Sequence, residues 1–360
     1  MSVGAEQNVD AVPDAGLSTI GVVAIGRNEG ERLERCLRSA LESTGRVVYV
    51  DSGSTDDSCA FARSVSVEVV DLDTSVPFTA ARARNAGIKR LTERWADVAY
   101  LQVVDGDCSF AEGWMTIAKA YLDEHTRCAV VCGRRRERSP GDSVYNRLTD
   151  LEWDTPVGDA KACGGDALFR LSAFNEVGGY RPTLIAGEEP ELCQRLRRAG
   201  WSVYRADEEM TLHDAAMFRF SQFWKRAKRA GHAYAEGAAL HGRGPDRHGV
   251  RGTRSALLWG LGLPVLAITA AWWTLGLSLV VLLVLYALQA ARIASGQRRR
   301  GRSSGDARLL GIFTMLAKPA QASGVLLYWR RRLLGQSATL IEYKGSDASG
   351  ASKATGAADA

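Results

Sequence analysis

Several things are missing from this 360-residue chain, and each absence narrows what it can be. None of its seven cysteines (Cys36, Cys59, Cys108, Cys128, Cys132, Cys163, Cys193) stands in a Cys-x-x-Cys pair, and their spacing is irregular. That argues against a zinc ribbon or a disulfide framework and reads as reduced core thiols in the cytosol. No Gly-x-Gly-x-x-Gly turn follows the first strand-like run. Gly26-Arg27-Asn28-Glu29-Gly30 lacks the close glycine pair, which sets aside a dinucleotide-dependent dehydrogenase. Residues 1–17 hold acids and no apolar core, so no secretory signal is read there. No internal repeat is present. From Ser255 the chain carries no charge until Arg292, and so long a stretch without a polar face argues against a soluble helical bundle.

What is present falls into two parts. Before about residue 254 the composition is that of a soluble α/β domain, and the charged fraction of the whole chain is 24%. Much of the formal excess of +5 sits beside the apolar stretch, which favours an anionic membrane surface over nucleic acid as partner. Strand-like runs at Ile20–Ile25, Arg46–Val50, Val67–Val70, Val98–Val104 and Cys128–Cys132 alternate with helical segments. Those segments are Glu29–Leu41, Ser54–Ala62, Thr79–Leu91 and Trp114–Leu122. Such alternation predicts a parallel sheet with helices on its faces. Asn28 and Glu31 have the spacing of a capping box. From Gly141 to Leu171 the pattern loosens. A helix at Glu188–Ala199, a short strand at Ser202–Arg205 and an amphipathic helix at Met217–Leu240 follow.

Asp105-Gly106-Asp107 ends the apolar run Val98–Val104. Two carboxylates there lie at the rim of a sheet, facing the crevice where such folds bind ligands. Gly106 puts no side chain between them, so a divalent cation and its phosphates can approach. Four more features are ordered around this one: Val22–Glu29, Tyr49–Ser58 with Asp51, Ala81–Gly87 with Arg84-Asn85, and Gly187-Glu188-Glu189-Pro190-Glu191. Each also has a structural reading, as helix caps or dipole partners.

The ordered set resembles the family 2 glycosyltransferases of the GT-A fold, over about Thr19 to Leu240. The resemblance implies an α/β GT-A domain, Rossmann-like, with a mostly parallel sheet and helices on both faces. It implies that Asn28, Glu29, Asp51, Arg84, Asn85, Asp105 and Gly165 contact a nucleotide sugar, with UDP the expected nucleotide, and that Arg82 could join them. Ser52 stands where many members carry a second Asp. Asp105 and Asp107 would hold Mg²⁺ or Mn²⁺, with His213 completing the shell or serving only as a structural histidine. Gly164 to Arg170 resembles a stretch near the acceptor and donor sugar. The catalytic base maps to Glu189, where the family usually has Asp; Glu188 and Glu191 are the lesser candidates. Arg226 and Arg229 could reach the diphosphate or face solvent or lipid.

That set of residue types suits sugar transfer. Negative charge grows on the departing diphosphate, and a metal held by carboxylates stabilises it. The acceptor hydroxyl must lose a proton, and a placed carboxylate can take it. One base and in-line attack imply inversion. A non-catalytic membrane scaffold that binds nucleotide sugars is the competing reading, and a polyprenyl-phosphate glycosyltransferase is the neighbouring one.

The apolar stretch is long enough for two linked spans, about Leu257–Trp273 and Leu275–Ile293, with Trp272 and Trp273 at the turn. Arginines flank both ends, so both ends are expected in the cytoplasm of a bacterial inner membrane. Leu309–Trp329 has Lys318-Pro319 at its middle and is expected to be re-entrant or interfacial. The expected domains are a disordered leader 1–17, the catalytic domain 18–240, a basic linker 241–254 and a transmembrane hairpin 255–294. A basic loop with the interfacial helix, 295–343, and a disordered tail, 344–360, complete the chain. A lipid-linked or glycan acceptor at the membrane, and no nucleic acid, follow as partners.

Overall fold

The computed structural model describes residues 15–336 and Ile341. The tail expected at 344–360 and the leader up to Asp14 lie outside the described residues. The leader boundary shifts, because Ala15–Leu17 form a 3₁₀ turn and Leu17 is buried in the core.

The first part of the chain builds β1 (Ile20–Gly26), α1 (Glu31–Leu41), β2 (Val47–Asp51), α2 (Ser58–Ser64), β3 (Glu68–Asp71), α3 (Ala80–Arg94) and β4 (Tyr100–Asp105). Then come β5 (Cys108–Phe110), α4 (Trp114–Glu124), β6 (Cys128–Glu137), α5 (Val144–Trp153), β7 (Gly158–Asp159), β8 (Ala167–Arg170) and α6 (Leu171–Glu176). The domain closes with α7 (Glu188–Arg198), β9 (Ser202–His213) and α8 (Phe220–His241).

One sheet runs β3-β2-β1-β4-β8-β6-β9-β5, with β7 on β9. β3, β2, β1 and β4 are parallel, as the apolar runs predict. The sheet is mixed beyond them, because β8 enters antiparallel between β4 and β6. β1, β2 and β4 are buried on both faces, which is why they read as unbroken apolar runs. α3 lies close over this layer: a Cβ on Gly87 would come within 2.5 Å of Val23 and 2.7 Å of Val50. Register puts Gly26 beside Asp51 and Ile25 beside Asp105, so the parallel strands end on one edge.

Three sequence expectations need correction. α1 is not capped by Asn28; its N-cap is Gly30 at φ 51°, and Asn28 turns away to receive the Thr55 N–H at 2.7 Å. The loosened stretch contains α5, whose buried face includes Asn146, Thr149 and Asp150 and so shows no apolar period. β9 runs to His213 rather than stopping at Arg205, because Asp207, Glu208 and Glu209 sit on its exposed side beside an irregular register with β6.

After α8 come α9 (Val250–Leu257), α10 (Leu263–Ala270), α11 (Leu277–Arg299) and α12 (Ser304–Leu333). A single wider turn at Leu258–Gly262 joins α9 to α10. Val250–Ala270, Leu277–Arg299 and Ser304–Leu333 are each long and apolar enough to cross a membrane. Trp272 and Trp273 lie exposed between the first two. The third segment is one unbroken helix through Lys318-Pro319, not a re-entrant loop. In its apolar window 44% is buried, against 6% for α11, because α12 lies along α8. Gly231 and Gly324 let those two backbones touch, since a Cβ on either would collide with the other helix's carbonyls.

Candidate active site

The site starts at the carboxyl end of β4. Gly106 donates its N–H to Ile25 O at 2.8 Å, and a Cβ there would lie 3.1 Å from that oxygen. Glycine therefore lets the chain turn tightly past β1, leaving Asp105 at the cleft and Asp107 folded beneath it. β5 pairs with β9 so that Cys108 faces His213. That brings His213 Nε2 to 3.4 Å from Asp107 Oδ2 and its Nδ1 to 3.2 Å from Glu137 Oε2. The Trp153 ring meets the imidazole edge-on at 4.5 Å.

Asp107 and His213 have the spacing for a divalent cation. Burial, and next the charge of Arg135, hold the His213 pKa below its ordinary value, so the ring is neutral near pH 7. With a proton on Nδ1 toward Glu137, Nε2 presents a lone pair on the side of Asp107, and one cation there takes both as ligands. Two donors about 2.1 Å from one ion, at a right angle or slightly wider, stand roughly 3.0–3.4 Å apart. The carboxylate oxygens of Asp105 and Asp107 with one imidazole suit Mg²⁺ or Mn²⁺. Cys108 lies in the same group of possible ligands. Burial pushes its thiol well above the usual range, so it stays protonated and ligates a hard ion poorly.

Arg84 of α3 ties the two sides of the cleft together. Its side chain is 2% exposed. Nη2 donates to Asp105 Oδ1 at 2.8 Å, and Nη1 donates to Glu188 Oε1 at 3.0 Å and to Glu189 Oε1 at 2.5 Å. Burial works against its charge, but Glu189, Asp105 and Glu188 outweigh that and raise its pKa. Glu188 is pushed up to about 7, first by burial and next by the charge of Glu189. Gly187, at φ 78°, supplies the left-handed turn that starts α7 and aims both carboxylates at Arg84.

Several expected residues lie together and several do not. Glu29, Arg84, Asp105, Asp107, Gly165, Glu188, Glu189 and His213 line one cleft of about 1010 Å³. A Cβ on Gly165 would come within 3.0 Å of Asp105 Oδ2 and 3.2 Å of Arg84 Nη2. Asp51 is not among the residues lining that cleft: it is 4% exposed and receives bonds from Tyr49, Gly53 and Ser54 at 2.8–2.9 Å. Burial raises its pKa, but those bonds outweigh it and hold the carboxylate below its ordinary range. It shapes a turn, and Ser52 lines the cleft instead, with a buried Oγ that has no hydrogen-bond partner.

Asn28 and Asn85 do not line the cleft either. Asn28 braces the Ser54-Thr55 turn, and both amide atoms of Asn85 bond the Tyr180 main chain at 2.7 and 3.2 Å. Arg82 donates to the carbonyls of Asp73, Val76 and Pro77, and Arg170 to that of Cys128, all away from the cleft. Glu191 is held by Arg195 and by His241 at 2.9 Å. Arg135, Asp166 and Glu137 were missed. Arg135 Nη2 reaches Asp105 at 3.3 Å and Asp107 at 3.9 Å, and its Nε lies 3.5 Å from Asp166. The Arg134-Arg135-Arg136 run straight after the apolar Cys128–Cys132 was the available signal.

A parallel sheet edge bearing Asp105 and Asp107, faced by the carboxylates opening α7, defines a GT-A type domain. Residues 22–177 match the family model described as glycosyl transferase family 2. It is 24% identical over 219 residues to succinoglycan biosynthesis protein ExoA of Rhizobium meliloti, covering 55% of this chain and 64% of that protein. It is 29% identical over 143 residues to a TPR repeat-containing protein of Synechococcus elongatus, covering 39% of this chain and 33% of that protein. The matches thus span less than two thirds of either relative. Among solved structures, a mannosyltransferase from Pyrobaculum calidifontis, in complex with GDP-mannose and Mn²⁺, superposes with a TM-score of 0.56 at 18% identity. That match covers 88% of this chain and 90% of the other. At this identity it speaks for the fold alone.

Proposed function

We propose that the protein is an inverting, metal-dependent glycosyltransferase. It moves a sugar from a nucleotide diphosphate to a hydroxyl of a membrane-associated acceptor. One observation carries this: Asp105, Asp107, His213 and Glu189 surround a single cleft that continues to α9 and α12. Asp105, Asp107 and His213 would hold Mg²⁺ or Mn²⁺, which when bound supplies positive charge for the departing diphosphate. Ser52, with its unused hydroxyl, and Phe78 line the nucleotide end.

Glu189 accepts the proton of the attacking hydroxyl. Arg84 holds its carboxylate at the cleft wall. As Glu189 takes the proton its pull on Arg84 weakens, and Arg84 keeps Asp105 and Glu188 as partners. Attack from the face opposite the leaving group inverts the anomeric carbon.

The far arm of the cleft carries Arg226, Arg229, Arg251 and Lys318, a setting for an acceptor that bears phosphate on a lipid. Arginines on both sides of the hairpin favour a cytoplasmic catalytic domain. The name of the Rhizobium relative supports polysaccharide biosynthesis as the setting, and the ligands of the Pyrobaculum structure support a sugar nucleotide with Mn²⁺.

The same basic arm favours, as second reading, a lipid phosphate as the attacking group. A phosphate is already ionised and needs no base. The experiment is turnover of UDP- and GDP-sugars by purified protein with Mn²⁺ and a lipid-phosphate or lipid-linked sugar acceptor. Asp107→Asn is expected to lose at least 100-fold, and Glu189→Gln about 10²–10⁴-fold with a hydroxyl acceptor. Glu189→Gln at full rate with a lipid phosphate selects the second reading. Donor binding without turnover on any acceptor refutes both.

A further inference from the structure

We propose that a second pocket, between α9 and α11, binds the phosphodiester headgroup of an anionic membrane phospholipid. The pocket holds about 430 Å³ and lies apart from the catalytic carboxylates. Arg251 of α9 forms one wall. Gln289, Arg292, Gly296, Gln297 and Arg300 form the other. These recur every three to four residues, so they share one face of α11 and its end.

Charge there has no counterpart. The sequence holds no Asp or Glu between Asp246 and Asp306. Among the described residues, Arg251, Arg292 and Arg300 pair with no acidic side chain.

Depth identifies the ligand. Arg292 precedes Arg300 by two turns, roughly 12 Å along the axis. A headgroup layer is only about 5–7 Å deep. With Arg300 at the membrane surface, Arg292 stands at the edge of the hydrocarbon, where an unpaired guanidinium is costly. An anion reaching in from headgroup level relieves that cost, and two guanidinium groups match the oxygens of a phosphodiester. Basic pockets between membrane helices take acidic lipid heads for this reason. Gly296 leaves the floor open, because a Cβ there would meet nothing within 4 Å.

The test uses the full chain in phosphatidylcholine nanodiscs with graded phosphatidylglycerol, reading the lipid retained by native mass spectrometry. The Arg292→Gln/Arg300→Gln pair is expected to lower retained phosphatidylglycerol about 30-fold, at about fivefold per basic side chain. Gly296→Leu keeps every charge, fills the pocket and suits a helix interior; it is expected to lose at least tenfold. Arg298→Gln/Arg299→Gln removes the same charge outside the pocket and is expected to lose less than threefold. The proposal falls if that control matches the pocket pair, or if Gly296→Leu retains lipid normally. Displacement of the lipid by millimolar inorganic phosphate or pyrophosphate also overturns it, since the pocket then serves a free anion.

Discussion

Replacing Arg84 by Gln tests whether the two sides of the cleft depend on one cation. Arg84 is buried and bonds Asp105, Glu188 and Glu189 at 2.8, 3.0 and 2.5 Å. Removing one partner of a buried ionic group costs about 3–5 kcal/mol, because the remaining charges stay buried and unpaired. For a domain of this size each kcal/mol moves Tm by about 2–4 °C, so the expected fall is about 6–20 °C.

The pH dependence sharpens the test. Glu188 stands at about 7 in the fold against an ordinary 4.5. Its raised folded pKa means that its contribution is fully present below 4.5 and is lost as pH rises through 7. Arg84 pulls that pKa down, so its removal raises it further and widens the loss at alkaline pH. At pH 5 Glu188 is protonated and needs no partner. The deficit of Arg84→Gln is therefore larger at pH 8 than at pH 5. Thermal unfolding of wild type, Arg84→Gln and Arg84→Lys at pH 5, 6.5 and 8 measures it. Lysine keeps the charge but not the fork and should recover less than half. A Tm deficit under 2 °C at pH 8, or one that does not change with pH, refutes the reasoning.

Gly165→Ala places a methyl 3.0 Å from Asp105 Oδ2, and is expected to cut turnover at least tenfold while Tm moves by less than 5 °C. Steady-state rates beside a melting curve check it. Glu236, raised to about 7 by burial, lies 3.5 Å from a neutral His232; its contribution is lost as pH rises through 7, so Glu236→Gln should flatten the fall of Tm between pH 5 and pH 8. Ser52→Ala removes a hydroxyl held ready at the nucleotide end, and should weaken donor binding about 2- to 12-fold by calorimetry with little change in Tm. Lys318→Met should raise KM for a phosphate-bearing lipid acceptor at least fivefold and leave donor KM within twofold, as read from separate acceptor and donor titrations.

The parallel half of the sheet was legible because β1, β2 and β4 are buried on both faces and read as continuous apolar runs. The acids at their ends were legible because a strand end exposes them to a crevice. What the sequence left hidden was hidden for local reasons. Asp51 and Asn85 have the residue types of ligand contacts, yet each spends its polar atoms on nearby main chain or a neighbouring hydroxyl. No pattern in one sequence separates those two uses. Arg135 and Glu137 share β6 and Asp166 directly precedes β8, and only the sheet order β4-β8-β6-β9 brings them under Asp105 and His213. α5 was hidden because the face it buries is partly polar: Asn146 bonds Ser139 O and the Met217 N–H, while Asp150 receives Arg134 and the Glu137 N–H.

Lys318 shows how the two parts of the chain depend on each other. Within an apolar helix it argues against a membrane span as long as the helix is pictured alone in lipid. In the fold α12 lies along α8, and Lys318 lines the same cleft as Arg229, Tyr234 and Glu189. Beside that cleft its ammonium donates to Gln321 Oε1 at 3.1 Å, so it has a polar partner within the protein. α8 carries both roles: one stretch lines the cleft while Gly231 fixes it against α12. At Gly231 and Gly324 its contact with α12 is backbone to backbone, and Phe223 and His232 pack edge-on against Phe313 and Tyr328. A displacement of α12 therefore moves Arg226 and Arg229 with it. The catalytic domain without α12 would keep its sheet and its acids but lose the wall that carries Lys318.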